Sequence, residues 1–366
     1  MKKINVLVTG ASGGGVGEQI TKALRLSDLD LYIITTDVKK TSKGMYDGDK
    51  GYVVPYANDD EYISSIIKIC DKHNIKVIFP GSEVELSVYS KNRKVFEDRG
   101  VLLPINSDKV IDICTDKTKT MAFLEKNNFA FPKSVTIKKL DDINQINFSP
   151  VVIKPSIGAG GSKDVLIAQT HEEVELFTKY LLNIYGEFIA QEYVGTPDSE
   201  YTVGVLSSLD GKFINSIAVR KSIETALNNR IKIRNNTQNA DLGKFLVISS
   251  GISEGYVDKY PEVTKVCEEI SEKIGAKAAI NIQCRLYKGR VYVFEINPRY
   301  SGTTSIRAMM GYNEPEIMIK KYILNEKVER NFEYQSGYIA RGLIEVPILN
   351  KVKRWQIIII FIGIFR

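Results

Sequence analysis

Histidine is nearly absent from this chain: His73 and His171 are the only two, and they stand far apart. No imidazole-rich metal centre can be built from that set. Cysteine is scarce too. Cys70, Cys114, Cys267 and Cys284 form no CxxC pair, which argues against zinc and against a disulfide framework and fits a reducing cytoplasm. Repeats and low-complexity tracts are missing. Neither sign of charge dominates, since 50 Lys and Arg against 44 Asp and Glu leave +6. The basic clusters Arg220–Arg234 and Lys351–Arg354 lack interleaved aromatics, so no nucleic-acid groove is expected, and small polyanions explain them as well.

Long apolar runs are also lacking. Lys2-Lys3 precede Ile4–Val8, which is too short for a signal-peptide core, so the chain is expected to start in the cytoplasm. Ile357–Phe365 is almost wholly apolar but far shorter than the roughly 20 residues of a spanning helix. A buried strand, a membrane-surface anchor and the remnant of a truncated chain all fit it, and completeness of the C-terminus is left open.

What the sequence does contain is order. A length of 366 residues suggests about two to three domains. Strands at Ile4–Thr9, Leu31–Thr35, Val77–Pro80 and Val101–Leu103 alternate with helices at Gly17–Leu26, Asp60–His73 and Ser82–Arg99, which implies a parallel, doubly wound sheet. Asn106-Ser107-Asp108-Lys109 caps a further helix. From Asp116 an α+β unit begins, with a helix Lys117–Asn127 and a strand Val151–Lys154. After Glu187 strands dominate: Phe188–Tyr193, Tyr201–Ser207, Lys212–Arg220, Ala278–Tyr287 and Arg290–Ile296, with a helix Val257–Ile274 crossing between them. Lys221–Asn239 reads as a polar loop able to close over substrate. The expected divisions are residues 1–115, 116–186, 187–345, and a basic, then apolar, tail at 346–366.

The most informative segment is Tyr292-Val293-Phe294-Glu295-Ile296-Asn297-Pro298-Arg299. Residues two apart on a strand share a face, so Glu295 and Asn297 point the same way, with the cation of Arg299 beside them. A carboxylate, an amide oxygen and a guanidinium together suit Mg²⁺ on a polyphosphate. Gln283 lies on the preceding strand. It falls opposite Glu295 if Lys288-Gly289-Arg290 forms the hairpin loop, whereas a two-residue loop turns it away. The second strong segment is Val151-Val152-Ile153-Lys154-Pro155, followed by Ser156-Ile157-Gly158-Ala159-Gly160-Gly161-Ser162. Lys154 ends a strand, and the glycines let backbone N–H groups approach phosphate oxygens. The loop is not a Walker A motif, because no Gly-Lys-Ser/Thr closes it.

Gln283, Glu295, Asn297 and Arg299 resemble the metal and phosphate end of the ATP-grasp superfamily, near the carbamoyl-phosphate synthase large-chain type, as do Tyr300–Ser305 and Gly311-Tyr312-Asn313. The likeness covers about residues 1–345. It implies a Rossmann-like pre-ATP-grasp domain followed by a two-lobed ATP-grasp domain. It implies Gln283, Glu295 and Asn297 as ligands of one or two Mg²⁺ (or Mn²⁺), and Lys117 and Lys154 as phosphate-binding cations. Gly158, Gly160, Gly161 and Ser162 become the flexible cover. Gln191-Glu192-Tyr193-Val194 is similar to the hinge whose backbone meets adenine, and Glu200 to the ribose-binding carboxylate. Arg299 would grip the transferring phosphoryl, and Arg220, with Lys221 as its rival, would add charge near the γ-phosphate. Ser301–Ser305 and Arg307 are expected around the acid substrate.

The implied activity is an ATP-dependent carboxylate–amine ligase proceeding through an acyl phosphate. The chain lacks the doubled halves and the glutaminase domain of a full carbamoyl-phosphate synthase, which favours a stand-alone ligase. Small-molecule carboxylate and amine partners are expected, with a homodimer as the default assembly.

A rival signal lies at the N-terminus. Val6–Gly17 reads as strand, glycine loop and helix, with Asp37 about 20 residues on, where a ribose-binding acid lies in NAD(P) enzymes. Gly10, Gly14 and Gly17 give GxxxGxxG, which matches no strict template, and Tyr89 is followed by Arg93 rather than the lysine of a Tyr-xxx-Lys pair. ATP-grasp proteins begin with a similar domain that generally holds no dinucleotide. The loop could still take an anionic part of the acceptor. Glu83 and Glu85, after Pro80-Gly81-Ser82, read either as holders of an amine or as first-turn helix carboxylates. An oxidoreductase and a non-catalytic ATP-binding relative therefore stand as alternatives.

Overall fold

The computed structural model describes residues 3–157, 162–346 and 348. Expectations that fell on Gly158, Gly160, Gly161 and the tail Ile357–Phe365 lie outside the described residues. No helix among the described residues is long and apolar enough to cross a membrane.

Four short strands pair in parallel in the order Lys50–Val53, Leu31–Asp37, Ile4–Val8, Val77–Phe79. Along Ile4–Val8 the side chains alternate between two cores. Val6 and Val8 pack with Ile20 and Leu24 of the helix Val16–Arg25, while Leu7 packs with Ile66 and Tyr89 on the other side. That two-sided burial is what a doubly wound sheet requires. The first face is closed further by residues from far along the chain, including Tyr300, Tyr312 and Met318. Two expectations change in detail. Val101–Leu103 contributes only a bridge from Leu102 to Val77. The helix expected over Ser82–Arg99 breaks at Asn92, whose amide donates to the Val88 carbonyl, giving Glu83–Lys91 and Arg93–Glu97.

The second unit is an antiparallel sheet ordered Ser134–Ile137, Phe188–Glu192, Val151–Pro155, Leu166–Ala168. The helix His171–Tyr185 covers it, started by a Thr170–Glu173 capping box and ended by Gly186 at φ +66°. The helix Lys117–Lys126 begins at Asp116, whose carboxylate accepts from the Thr118 and Lys119 N–H groups.

The third unit is a six-stranded sheet ordered Arg290–Asn297, Ala278–Tyr287, Glu200–Ser207, Phe213–Ser222, Glu254–Asp258, Gly337–Ile339. Tyr201, Val203, Val205, Ile280 and Ile282 bury one face against the helix Pro261–Ile274. Each such side chain contributes about 1.5–3 kcal/mol, so slipping a strand by one residue would cost far more than the protein can spare. Glu200, Thr202, Asn281 and Gln283 are thereby forced onto the opposite face. The helix expected from Val257 starts at Pro261 instead, because proline belongs at a helix's first position and the preceding segment pairs as a strand. Part of the supposed polar loop Lys221–Asn239 is a strand, Asn229–Arg234, paired with Phe245–Ser249, since Ile231 and Ile233 pack beside Tyr193 and Leu246.

Candidate active site

The second and third sheets face each other across one cavity, and most of the chemically marked residues line it. Its walls include Lys117, Lys154, Ser162, the hinge Gln191–Val194, Glu200, Lys221, Gln283, Arg285, Glu295, Asn297 and Arg299.

The shared face of Gln283, Glu295 and Asn297 depends on an irregularity. Tyr287 pairs with Arg290, so the hairpin turn has two residues, Lys288 at φ +49° and Gly289 at φ +72°. Regular pairing would then turn Gln283 away from Glu295. A β-bulge next to Gln283 adds Phe294 to the partner strand, and beyond it Gln283 again lies opposite Glu295. The reading by a three-residue loop is thus corrected in its cause, while the juxtaposition stands. The bulge also lets Tyr292 and Phe294 share the cavity face with Glu295 and Asn297, which strict alternation forbids. The Phe294 carbonyl accepts from Lys154 Nζ of the opposite sheet at 3.3 Å.

Gln283 donates its amide nitrogen to Glu295 and offers its oxygen to Lys221 Nζ at 2.8 Å. The Asn297 oxygen accepts from Arg299 at 3.1 Å. Among the described residues no cluster of three or more His, Cys, Asp or Glu exists. The candidate donors are instead one carboxylate and two amides, all oxygen ligands. That set fits Mg²⁺, which takes few protein ligands when phosphates supply the rest. Gln283 must turn its amide over to present its oxygen.

Lys154 is buried at 7% exposure, and its Nζ donates to Gln191 Oε1 at 2.7 Å. Burial first, then the Lys117 charge, lowers its pKa to about 7, against a partial pull upward from Glu295. Lys117 comes beside it because Asp116 bridges to Ile157 and the Lys117 N–H donates to the Ser156 carbonyl. Gln191, assigned to the hinge, acts through its side chain as the partner of Lys154. The hinge backbone is partly committed: Glu192 and Tyr193 donate to Lys133 and Pro150, and the Val194 carbonyl accepts from Arg285.

Glu200 differs most from expectation. Its Oε1 accepts from Lys221 at 2.9 Å and Ser249 at 2.6 Å, and its Oε2 accepts twice from Arg285, at 2.9 and 3.1 Å. Burial alone would raise its pKa, but the two cations and Ser249 overcome this and hold it at about 2. All four acceptor directions of the carboxylate are filled, so a diol would have to displace one of these partners.

Arg220 is corrected. It points to the outer face, its guanidinium 5.2 Å from the Tyr256 ring centre and 6.0 Å from Tyr260. Lys221, one residue on, faces the cavity. Arg307 is wholly buried beneath the floor, bound to Asn281 at 2.6 Å and to Glu314, and does not line the cavity, whereas Ser301, Gly302 and Thr303 do. Sequence reasoning missed Arg285 and Asn281, although period-two spacing from Gln283 places both on its face.

The N-terminal glycine loop is already supplied with an anion. The Gly14 N–H donates to Glu18, which is also paired with Lys22 and Lys43. Burial raises the Glu18 pKa, but these donors outweigh it and bring the value to about 2. Asp37 is buried and accepts from Ser42 at 2.7 Å. The Gly14 N–H and Asp37 are thus already engaged within their own domain, while Gly14 and Gly15 themselves line the cavity described above. Glu85 is likewise internal, bound by Tyr62 at 2.7 Å and Ser82 at 2.9 Å. Burial raises its pKa. Glu83 bonds Arg299 rather than lying open to an amine.

Comparison with known proteins agrees with this layout. Residues 7–104 match a family model described as the PylC-like N-terminal domain. Residues 186–343 match one described as ATP-grasp in the biosynthetic pathway with Ter operon. The chain is 26% identical over 340 residues to the carbamoyl phosphate synthase large chain of Clostridium perfringens, covering 90% of this chain but 29% of that protein. It therefore spans less than a third of that relative. The ADP complex of N5-carboxyaminoimidazole ribonucleotide synthetase superposes with a TM-score of 0.63 at 14% identity, over 92% of this chain and 80% of that one. The L-amino acid ligase of Bacillus licheniformis gives 0.59 at 16% identity, over 88% and 75%. A parallel-sheet domain is followed by two antiparallel lobes around one cavity, and the chain carries an ATP-grasp domain over residues 186–343 behind a PylC-like N-terminal domain.

Proposed function

We propose that the chain is an ATP-dependent ligase that converts a carboxylate to an acyl phosphate and joins it to an amine. A carboxylate oxygen attacks the γ-phosphorus and ADP leaves. The amine then attacks the acyl carbon, phosphate departs with the bonding pair, and the nitrogen gives up a proton. The observation that carries this reading is the meeting, in one cavity, of Lys117, Lys154 and Arg299 with the Gln283–Glu295–Asn297 face.

Lys154 and Lys117 would neutralise phosphate charge, and the burial that lowers the Lys154 pKa strengthens its pull on a phosphate once it is protonated. Arg299 would hold the transferring phosphoryl in place. Glu295, Asn297 and a turned Gln283 would hold Mg²⁺, or Mn²⁺ in its place, which when bound draws charge from the phosphate oxygens. Lys221 takes the role first given to Arg220. Glu200 supports the nucleotide end of the cavity, with ribose exchanging for one of its present partners. The four cysteines are buried free thiols, which supports a reducing, cytoplasmic setting. Small-molecule acid and amine substrates suit the cavity, and a homodimer is the assembly we propose.

Calorimetry of ATP with Mg²⁺ against NADPH, in the wild type and Glu295→Ala, tests the reading. ATP binding that needs Mg²⁺ and weakens in the variant is expected, followed by ADP release when the right acid and amine are supplied. NADPH binding indifferent to Glu295 would overturn it.

A further inference from the structure

The Glu83–Arg299 contact joins the N-terminal domain directly to the proposed phosphoryl site. Glu83 Oε1 accepts from Arg299 Nη2 at 2.6 Å, and both side chains are largely shielded from solvent. The same nitrogen donates to the Asn297 oxygen at 3.1 Å, and Nη1 donates to the Tyr300 carbonyl at 2.9 Å. An unbroken series of hydrogen bonds thus runs from Glu83 through Arg299 to a proposed metal ligand.

The element carrying Glu83 is rigidly placed. It opens the helix Glu83–Lys91, capped by Ser82, whose oxygen accepts from the Glu85 N–H. Gly81 is packed so tightly that a Cβ there would meet the Thr9 carbonyl oxygen at 2.3 Å. The next acid, Glu85, is bound by Tyr62 and Ser82 beneath the same turn. Asn106 adds a second tie, donating to the carbonyls of Ala279 at 2.9 Å and Pro298 at 3.0 Å, one residue from Arg299. The domain that supplies Glu83 is therefore fixed against the strand that supplies Arg299.

Resting on the ligase reading, we infer that Glu83 is a positioning residue for phosphoryl transfer. Its carboxylate holds the Arg299 guanidinium in the orientation that meets the terminal phosphate of the nucleotide. A guanidinium on a flexible side chain loses affinity when it must be ordered at the moment of binding, and a fixed carboxylate partner removes that loss. On that reading the contribution falls on the γ-phosphoryl, since Arg299 also bonds Asn297 of the proposed metal face and makes no bond to Glu200, whose partners are Arg285, Lys221 and Ser249.

The test compares Mg²⁺-dependent binding of ADP and of a non-hydrolysable ATP analogue by calorimetry. It uses the full chain as wild type, Glu83→Gln, Glu83→Asp, and Glu83→Gln combined with Arg299→Ala, with a melting curve for each. Glu83→Gln should weaken the triphosphate roughly tenfold, the size of one charge-assisted hydrogen bond, and leave ADP within about twofold. Glu83→Asp should fall between, and Glu83→Gln should add nothing once Arg299 is alanine. Equal weakening of both nucleotides, or additive effects in the double variant, overturns the inference and makes Glu83 an ordinary interdomain tie. If Glu83→Gln fails to melt cooperatively, Glu83→Asp carries the same comparison. A wild type that binds neither nucleotide with Mg²⁺ removes the ligase reading and this inference with it. Binding of both, with an unchanged ratio in Glu83→Gln, removes this inference alone.

Discussion

Two places in this molecule have the look of a phosphate site, and they differ in how their charges balance. In the N-terminal glycine loop, the Gly14 N–H and the ammonium groups of Lys22 and Lys43 all converge on Glu18. Its donors are taken up by its own side chain. In the cavity between the two antiparallel sheets, Lys117, Lys154 and Arg299 face an acid side represented by Glu295 and the engaged Glu83. Among the described residues Lys154 has no carboxylate bonded to it and rests on Gln191 and a carbonyl. A glycine loop on a helix can be satisfied from within. A buried lysine held only by an amide and a carbonyl calls for an anion from outside.

The largest effect is expected from Glu295→Ala. Loss of the carboxylate from the proposed metal face should lower ATP turnover by about a thousandfold or more, read as ADP release. Near-normal turnover would mean that the cavity's charge pattern is structural.

Next comes Glu200→Gln, which leaves Lys221 and Arg285 buried without their anion and should cost about 3–5 kcal/mol of stability at neutral pH. The pH dependence has a definite sign. The folded pKa of Glu200 lies below its ordinary value of 4.5, so its stabilisation is complete above pH 4.5 and fades as pH falls towards about 2. The shift corresponds to about 3 kcal/mol. Denaturant titration of wild type and variant should show their stabilities converging on that acid limb, and parallel curves would count against the assignment.

Lys154 links nucleotide binding to proton uptake. With its pKa near 7, the lysine is mostly neutral at pH 8 in the free protein. Phosphate in the cavity restores the charged form, so nucleotide binding at pH 8 should take up close to one proton. Calorimetry in buffers of different ionisation enthalpy measures it, and Lys154→Met should abolish the uptake. Equal heats in all buffers for the wild type would show that Lys154 stays charged when the cavity is empty.

The smallest effect is expected at Glu18. Glu18→Gln should lower the melting temperature by a few degrees, because its neighbouring lysines lose a partner, while affinity for Mg²⁺ and ATP stays within about twofold. A large loss of ATP affinity would reopen the N-terminal loop as a nucleotide site.

The sequence reveals linear features well and lateral ones poorly. Gly-rich loops, strand-borne acids and the order of the motifs are all carried by neighbours in the chain, so the sheet-and-lobe plan and the Lys154 and Glu295 segments could be read directly. Lys221 against Arg220 turned on which face of a strand was buried, and that was set by Tyr256 and Tyr260 from elements not yet paired. The engagement of Glu200 by Arg285 and Lys221 joins three strands, and the link from Glu83 to Arg299 crosses 216 positions of the chain. Spacing cannot reveal such partners. The strand within Lys221–Asn239 was hidden for a related reason, since its exposed alternate residues are charged and its buried ones find their core only in the opposite lobe.

The paired irregularities of the last hairpin link two lengths that look independent. A turn of two residues and the extra residue at Phe294 each exchange inside for outside, and together they cancel. With the same number of residues between Gln283 and Glu295, enlarging the turn to three residues while keeping the bulge would turn Asn297 to the apolar side, so a relative with a three-residue turn here should lack the bulge. Deleting Phe294 instead leaves a regular ladder in which Gln283 still meets Glu295, without the carbonyl that now receives Lys154.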